Sequence, residues 1–264
     1  MTLLQAFLLG IIQGITEFFP VSSSTHLFIA KSLMGISSGE STFFFDLLCH
    51  LGTFTAALYV FRKDIYVLFT TRRDKLWQIV LALTPLIPAL FLFKPLRALF
   101  HGYFWLGMSL MITAVFLFIG ERFRVKGMPS ISRWRRSRDA LLIGAFQSAA
   151  LIPGISRSAS TIASAKYLGW NGGEAIRFSF LLAIPTIFGG CILELWSMIS
   201  SHGIDLAWPI SPSCCLMGFG TSAVTALIII GPAVRLLEKE GLRPFGWYCL
   251  VLSICLMLSA LQGS

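Results

Sequence analysis

The sequence predicts an all-α integral membrane protein, with six full transmembrane helices and two re-entrant helical hairpins arranged as an inverted-topology repeat. Three observations carry this expectation. Hydrophobic residues make up 56% of the 264 and charged residues only 12%, a composition that keeps a chain in lipid. A serine-rich motif occurs twice, 134 residues apart, inside apolar sequence. Basic residues gather in a few short segments between apolar runs, all on the side that the positive-inside rule assigns to the cytoplasm.

The elements follow in order. The first apolar stretch, Leu3 to Ile15, is too short to cross a hydrocarbon core of about 30 Å at 1.5 Å per residue. It ends at Thr16-Glu17-Phe18-Phe19-Pro20 and a serine run, and a second short apolar piece, Leu27 to Met34, follows. Two half-helices around a polar break read as a hairpin that enters and leaves on one side, because irregular backbone at membrane depth survives only inside protein or beside water. Spans are expected at about Phe43 to Phe61, Leu76 to Phe93 and Tyr103 to Gly120, followed by a basic loop 121–138. A second short pair, Ala140 to Leu151 and Ser158 to Leu168, flanks the second motif. The last spans fall at about Ala175 to Ser197, Cys214 to Gly231 and Phe245 to Leu261.

Orientation comes from charge. Segments 62–75, 121–138 and 235–243 hold fifteen Lys or Arg, and Lys166 and Arg177 fall on the same side. The opposite side holds Lys31, Lys94 and Arg97. Both termini are then outside. Three spans separate the motif copies, so the second copy is inverted relative to the first and the two tips meet near the midplane. The chain is read as one membrane domain with a first repeat over 1–134 and a second, inverted repeat over 135–264.

The formal charge of +9 is explained by these short basic segments beside anionic lipid, so no nucleic-acid partner is expected. The six cysteines lie in or beside apolar runs without paired spacing and read as small packing residues. No Lys or Arg precedes the first apolar run, so no cleavable signal peptide is expected.

The first motif comprises Gln13, Glu17, Pro20, Ser22, Ser23, Ser24 and His26; the second comprises Gln147, Pro153, Gly154, Ser156, Arg157, Ser158 and Thr161. At the constant offset Gly10 aligns with Gly144, Gln13 with Gln147, Ser22 with Ser156 and Ser24 with Ser158, while the prolines slip by one residue. In each tip a proline is followed by serines that open a short helix. Two half-helix N-termini, with free N–H groups and partial positive charge, suit a phosphate. Arg157 adds a planar charged fork. Glu17, one turn from Gln13, must be protonated, paired with Arg157 or bound to a cation if it adjoins an anion. His26 lies one turn beyond Ser22 and Ser23, where a nucleophilic serine and a histidine base could meet. Asp46 and His50 form another i, i+4 pair, either joining the site or pairing with each other.

Gln13-x-x-x-Glu17, then Pro20-Val21-Ser22-Ser23-Ser24-Thr25-His26, resembles the (E/Q)xxxE and PVSSxxH segment of the undecaprenyl-diphosphate phosphatases, the bacitracin-resistance phosphatase family. Pro153-Gly154-Ile155-Ser156-Arg157-Ser158 with Thr161 resembles that family's PGxSRSxxT motif. The likeness runs over the whole chain. It implies a multi-pass enzyme of the bacterial inner membrane that hydrolyses undecaprenyl diphosphate to the monophosphate at the periplasmic face, recycling the lipid carrier of peptidoglycan synthesis. It also implies a divalent cation, Mg²⁺ or Ca²⁺. Carried onto this chain, Ser23 is the nucleophile, His26 the general acid/base, and Glu17 and Gln13 contact metal or diphosphate. Arg157 clamps phosphate. The residues themselves add Ser156, Ser158, Ser22 and Thr161 as expected phosphate contacts, with Asp46, His50 and Gln147 as expected supporting residues. A polyprenyl diphosphate and the membrane are the expected partners, and a homo-oligomer is left open.

Two departures from the family pattern stand out. Gln13 stands where many members have Glu, which would hold a cation more loosely. Thr25 and Ala159, equivalent positions in the two copies, stand where the family often has Gly. Ordinary helical φ is expected at both, with slightly wider packing of the tips. A transporter or flippase of lipid phosphate or another anion is the rival reading, since inverted repeats with broken helices are common there. The serine, histidine and carboxylate favour the enzyme, because carriage needs neither nucleophile nor base.

Overall fold

The computed structural model describes residues 1–36, 40–97, 102–123, 133–202 and 210–262, and every regular element among them is helical. The helices are α1 (Leu3–Thr16), α2 (Ser23–Leu33), α3 (Glu40–Val60), α4 (Arg62–Thr70), α5 (Arg73–Leu83), α6 (Leu86–Arg97), α7 (Tyr103–Arg122), α8 (Arg133–Ser148), α9 (Arg157–Tyr167), α10 (Gly172–His202), α11 (Pro212–Glu240) and α12 (Arg243–Gln262). A 3₁₀ turn, Ala149–Leu151, extends α8.

Six stretches are long and apolar enough to cross a membrane: Thr42–Val60, Arg73–Leu92, Tyr103–Arg122, Gly172–Ser200, Pro212–Glu240 and Arg243–Leu261. The second is broken between α5 and α6 at Thr84-Pro85, where proline lacks the N–H that would continue the ladder. Large apolar side chains such as Tyr59, Val115, Ile228, Val251 and Leu258 are exposed, whereas Gln13, Thr25, Ser158, Thr161 and Ser179 are buried. Polar groups thus concentrate inside and apolar ones face outward, as a lipid solvent demands.

Three expectations need correction. The basic segment 62–75 is not a loop: α4 occupies most of it, and α11 carries Arg235 and Lys239 within its last two turns. The end of the basic loop at 121–138 is also helical, since α8 starts at Arg133; Arg124 and Lys126 lie outside the described residues. Lys and Arg are good helix formers, so charge marks the side of the membrane without marking a break in the helix.

Two helix pairs carry the motifs. α1 and α2 pack on each other around the turn 17–22, and α8 packs on α9 around 149–156. α1 begins with a reciprocal cap: Gln5 N donates to Thr2 Oγ1 at 3.2 Å and Thr2 N donates to Gln5 Oε1 at 2.8 Å. α1 lies along α11 and α8 along α5. Both contacts are backbone-close. A methyl group at Gly10 would overlap Thr221 and the Gly218 carbonyl, and one at Gly144 would overlap the Ala82 carbonyl. Each of these glycines therefore lets a motif-bearing helix approach its neighbour closely.

The turn after α1 is anchored by Phe18. Its ring is fully buried and meets Phe180 of α10 edge-on at 5.6 Å; Phe61 meets Phe180 at 6.0 Å. At the end richest in basic residues, Glu121 Oε2 accepts from Lys166 Nζ and from Leu242 N, each at 2.8 Å, tying α7, α9 and the start of α12 together. Trp170 Nε1 donates to Asp139 Oδ2 at 3.1 Å and holds the α9–α10 connection against α8.

Candidate active site

The two turns meet at one ion pair. Arg157 Nη2, from the first residue of α9, lies 2.8 Å from Glu17 Oε1, from the turn after α1. These residues are 140 apart in sequence. Glu17 is 8% exposed, so its charge requires this partner. Its other oxygen, Oε2, accepts from Ser23 Oγ at 2.9 Å and from Gln13 Nε2 at 2.8 Å, and His50 Nε2 stands 3.6 Å away. A serine hydroxyl donating to a buried carboxylate that is steadied by a guanidinium is a nucleophile–base arrangement.

Backbone conformation aims Ser23. Ser22 has φ of +69°, and among the described non-glycine residues no other has positive φ. For a residue with Cβ this conformation costs about 1 kcal/mol or more. It is held by side chains: Ser22 Oγ is 3.2 Å from Ser24 Oγ and 3.1 Å from Thr25 Oγ1. The expectation of a simple serine N-cap therefore fails here, because the Ser22 hydroxyl makes no cap bond to α2. The second turn does follow it. Ser156 Oγ accepts from Ala159 N at 3.2 Å, and the positive φ, +95°, falls on Gly154. Thr25 and Ala159 are both helical and fully buried, as expected of residues outside the positive-φ region.

The tips are stitched directly. Ser158 Oγ donates to the Phe19 carbonyl at 3.1 Å, and Gly154 N donates to Ser24 Oγ at 3.4 Å. Thr113 of α7 supports the second tip, accepting from Ser156 N at 3.0 Å and donating to the Gly154 carbonyl at 3.4 Å. Between the tips lies a cavity of about 220 Å³, whose walls include Glu17, Ser22, Ser23, Ser24, His50, Gln147, Ser156, Arg157 and Ser158. Gln147 is 1% exposed and neither of its amide atoms has a partner.

Four predicted residues lie elsewhere. His26 does not reach Ser23. Its Nδ1 is 2.7 Å from the Ser22 carbonyl, its Nε2 is 2.7 Å from Tyr248 Oη, and the two rings stack at 5.7 Å. Donation from Nδ1 to a carbonyl leaves Nε2 of the neutral ring to accept from the tyrosine. The i, i+4 spacing put His26 beside Ser22 correctly, but the contact is to the Ser22 backbone, and the ring lines a different cavity from Ser23. Thr161 hydrogen-bonds Ser179 Oγ at 2.6 Å and supports α9 on α10, outside the cavity wall. Asp46 is taken by Lys31, so its pairing with His50 involves only its carbonyl, 2.7 Å from His50 Nδ1. Gln13 stands behind Glu17. Thr113, Ser179 and Tyr248 were missed. A polar residue inside an apolar span was the available signal for the first two, and nothing linked Tyr248 to His26.

A second, apolar cavity of about 370 Å³ lies on the other side of the first turn, against α11 and α12. His26, Phe245 and Tyr248 line it, and Thr16 and Phe19 belong to the walls of both cavities.

For a divalent cation the protein offers few ligands. Among the described residues no group of three His, Cys, Asp or Glu could hold a metal ion. Glu17 is the carboxylate in the cavity wall, and Gln13 Oε1 is buried without a partner. Rotating the Gln13 amide would turn that oxygen toward Glu17 Oε2. One carboxylate and one carbonyl fit a hard cation whose remaining ligands come from phosphate and water.

Comparison with known proteins gives a consistent answer. The family described as bacitracin resistance protein BacA matches residues 6–255. An undecaprenyl-diphosphatase of Protochlamydia amoebophila is 39% identical over 258 residues, covering 98% of each chain. Proteins of the same name from Geobacter sulfurreducens and Halothermothrix orenii are 36% and 32% identical, over 95% or more of each chain. With the motifs in place and the match running almost end to end, the chain belongs to the bacitracin resistance protein BacA family.

Proposed function

We infer that this protein is a membrane phosphatase that hydrolyses undecaprenyl diphosphate to undecaprenyl phosphate and inorganic phosphate, returning the lipid carrier to cell-wall synthesis. Beyond the family itself, the observation that carries the reading is the Ser23 hydroxyl on Glu17 at 2.9 Å, opposite Arg157, in one polar cavity. Nothing among the described residues or the relatives supports carriage of lipid phosphate as the activity.

In the mechanism we favour, Ser23 Oγ attacks the terminal phosphorus and its proton passes to Glu17 Oε2. The bond from that phosphorus to the bridging oxygen breaks, and undecaprenyl phosphate leaves. Neutralising Glu17 loosens its hold on Arg157, so the guanidinium turns to the transferring phosphoryl oxygens as their charge needs a partner. The departing undecaprenyl phosphate takes the proton from Glu17, and the carboxylate so regenerated accepts a proton from water as its oxygen attacks the phosphoserine, freeing phosphate and returning that proton to Ser23 Oγ. His26 works indirectly, by holding the Ser22 carbonyl. A Mg²⁺ or Ca²⁺ would be held by Glu17 and Gln13 and would supply charge neutralisation on the diphosphate. The apolar cavity beside Phe19 offers the prenyl chain a path next to the polar one.

The two helix pairs are read as re-entrant hairpins of two inverted repeats. The exchange of packing between α1·α11 and α8·α5, with Gly10 and Gly144 at equivalent contacts, supports this. The one-sided distribution of Lys and Arg supports an orientation with the basic end in the cytoplasm, and placement in the bacterial inner membrane with the site served from the periplasm rests on the family.

The test is phosphate release from undecaprenyl diphosphate by purified protein in detergent, with Mg²⁺, Ca²⁺ or EDTA, beside Arg157→Ala. Cation-dependent release that falls by about 10³-fold or more in the variant is expected. No release with any cation would contradict the reading.

A further inference from the structure

Among the described residues that line the polar cavity, Gln147 is a buried side chain left without any partner. It lies in the last turn of α8, is 1% exposed, faces the polar cavity, and neither its Nε2 nor its Oε1 has a hydrogen-bond partner. A buried amide with both ends unpaired is rare in a folded protein and calls for a ligand. Its counterpart Gln13 shows what is different. Gln13 donates to Glu17 one turn on, at 2.8 Å. At the same offset of 134, the counterpart of Glu17 is Leu151, which also lines the cavity. The second hairpin therefore keeps the amide and lacks the carboxylate that would occupy it.

We propose that Gln147 binds the phosphate that stays on the lipid, and so sets the preference for a diphosphate over other phosphate esters. This rests on the phosphatase reading above. The terminal phosphorus must lie against Ser23, where Glu17 and Arg157 already supply base and clamp. The second phosphate then needs a donor elsewhere in the same wall, and the Gln147 amide is the unused one. Its chemistry suits that role. Two N–H groups stabilise negative charge building on the leaving phosphate, and the amide adds no net charge that would hold the product after cleavage. Its carbonyl is left to accept from a bound water.

The experiment compares two inhibitors of the purified full-length protein in detergent. Undecaprenyl phosphate carries the retained phosphate, and inorganic phosphate mimics the transferred one. Gln147→Leu should weaken inhibition by undecaprenyl phosphate about tenfold or more and lower kcat/KM by at least as much, while inhibition by inorganic phosphate stays within about twofold. Gln147→Glu, close in shape, should weaken undecaprenyl phosphate at least as much, through repulsion. Equal weakening of both inhibitors, or no weakening of either, overturns the proposal. So does failure of both variants to fold in a thermal melt, since Gln147 would then be holding the structure. No phosphate release by the unaltered protein removes the phosphatase reading along with this one; release with an unchanged inhibitor ratio removes this one alone.

Discussion

The two helix pairs carry matching motifs and are built differently. In the first, the turn presents Glu17 and Ser23 and takes a strained φ at Ser22 to aim them. In the second, the positions at the same offset are Leu151 and Arg157, the positive φ falls on Gly154, and Ser156 makes an ordinary cap. One half supplies the carboxylate and hydroxyl, the other supplies the cation, and the Glu17–Arg157 pair joins them. A phosphate site needs both a base and a positive clamp, and here the two come from different helix pairs. The conformational cost is also divided. The pair that presents Ser23 holds a serine where glycine would be easier, and the pair that presents Arg157 has the glycine.

The largest effect expected from breaking this division is at Glu17. Glu17→Gln keeps a hydrogen-bonding group but cannot take the Ser23 proton, and kcat should fall by about 10³-fold or more. The variant also leaves Arg157 without its counter-charge, so a lower melting temperature that recovers on adding phosphate is the expected signature. A smaller effect is expected where the first hairpin is merely held. Tyr248→Phe removes one hydrogen bond to His26 and should lower kcat about tenfold or less, with the pH profile of kcat unchanged, because His26 does not touch the nucleophile. A profile that loses one limb in His26→Gln would return the histidine to the role of base. The smallest effect should be shared equally. Gly10→Ala and Gly144→Ala each force a methyl into a helix contact and should destabilise by about 1–3 kcal/mol, to a similar degree. Unequal melting shifts would mean that the two halves no longer pack alike.

Much of this was readable in the sequence, for one reason. Lipid leaves few explanations for Gln13, Glu17, Arg157 and a repeated serine run, so polar residues inside apolar sequence pointed to a site. The six spans were visible as hydropathy, and α1 was visible as too short. Spacing did less well with direction. It placed His26 next to Ser22, but a side chain one turn along a helix can meet the carbonyl or the hydroxyl, and only packing against Tyr248, 222 residues away, decides. Spacing also gave Asp46 and His50 a shared face but not Lys31, which takes the carboxylate and leaves His50 beside Glu17. Thr113 was invisible because its value lies in reaching the backbone of residues 154 and 156 across a helix contact. The positive φ of Ser22 had no sequence signal, since glycine is the residue that announces it.

The most direct test of divided labour is phosphate release by Ser23→Ala with Glu17 and Arg157 intact. If the first hairpin supplies the attacking oxygen, turnover falls by about 10³-fold or more in a protein that still melts normally and still binds undecaprenyl phosphate. Near-normal turnover would mean that water attacks directly and that Ser23 only shapes the cavity.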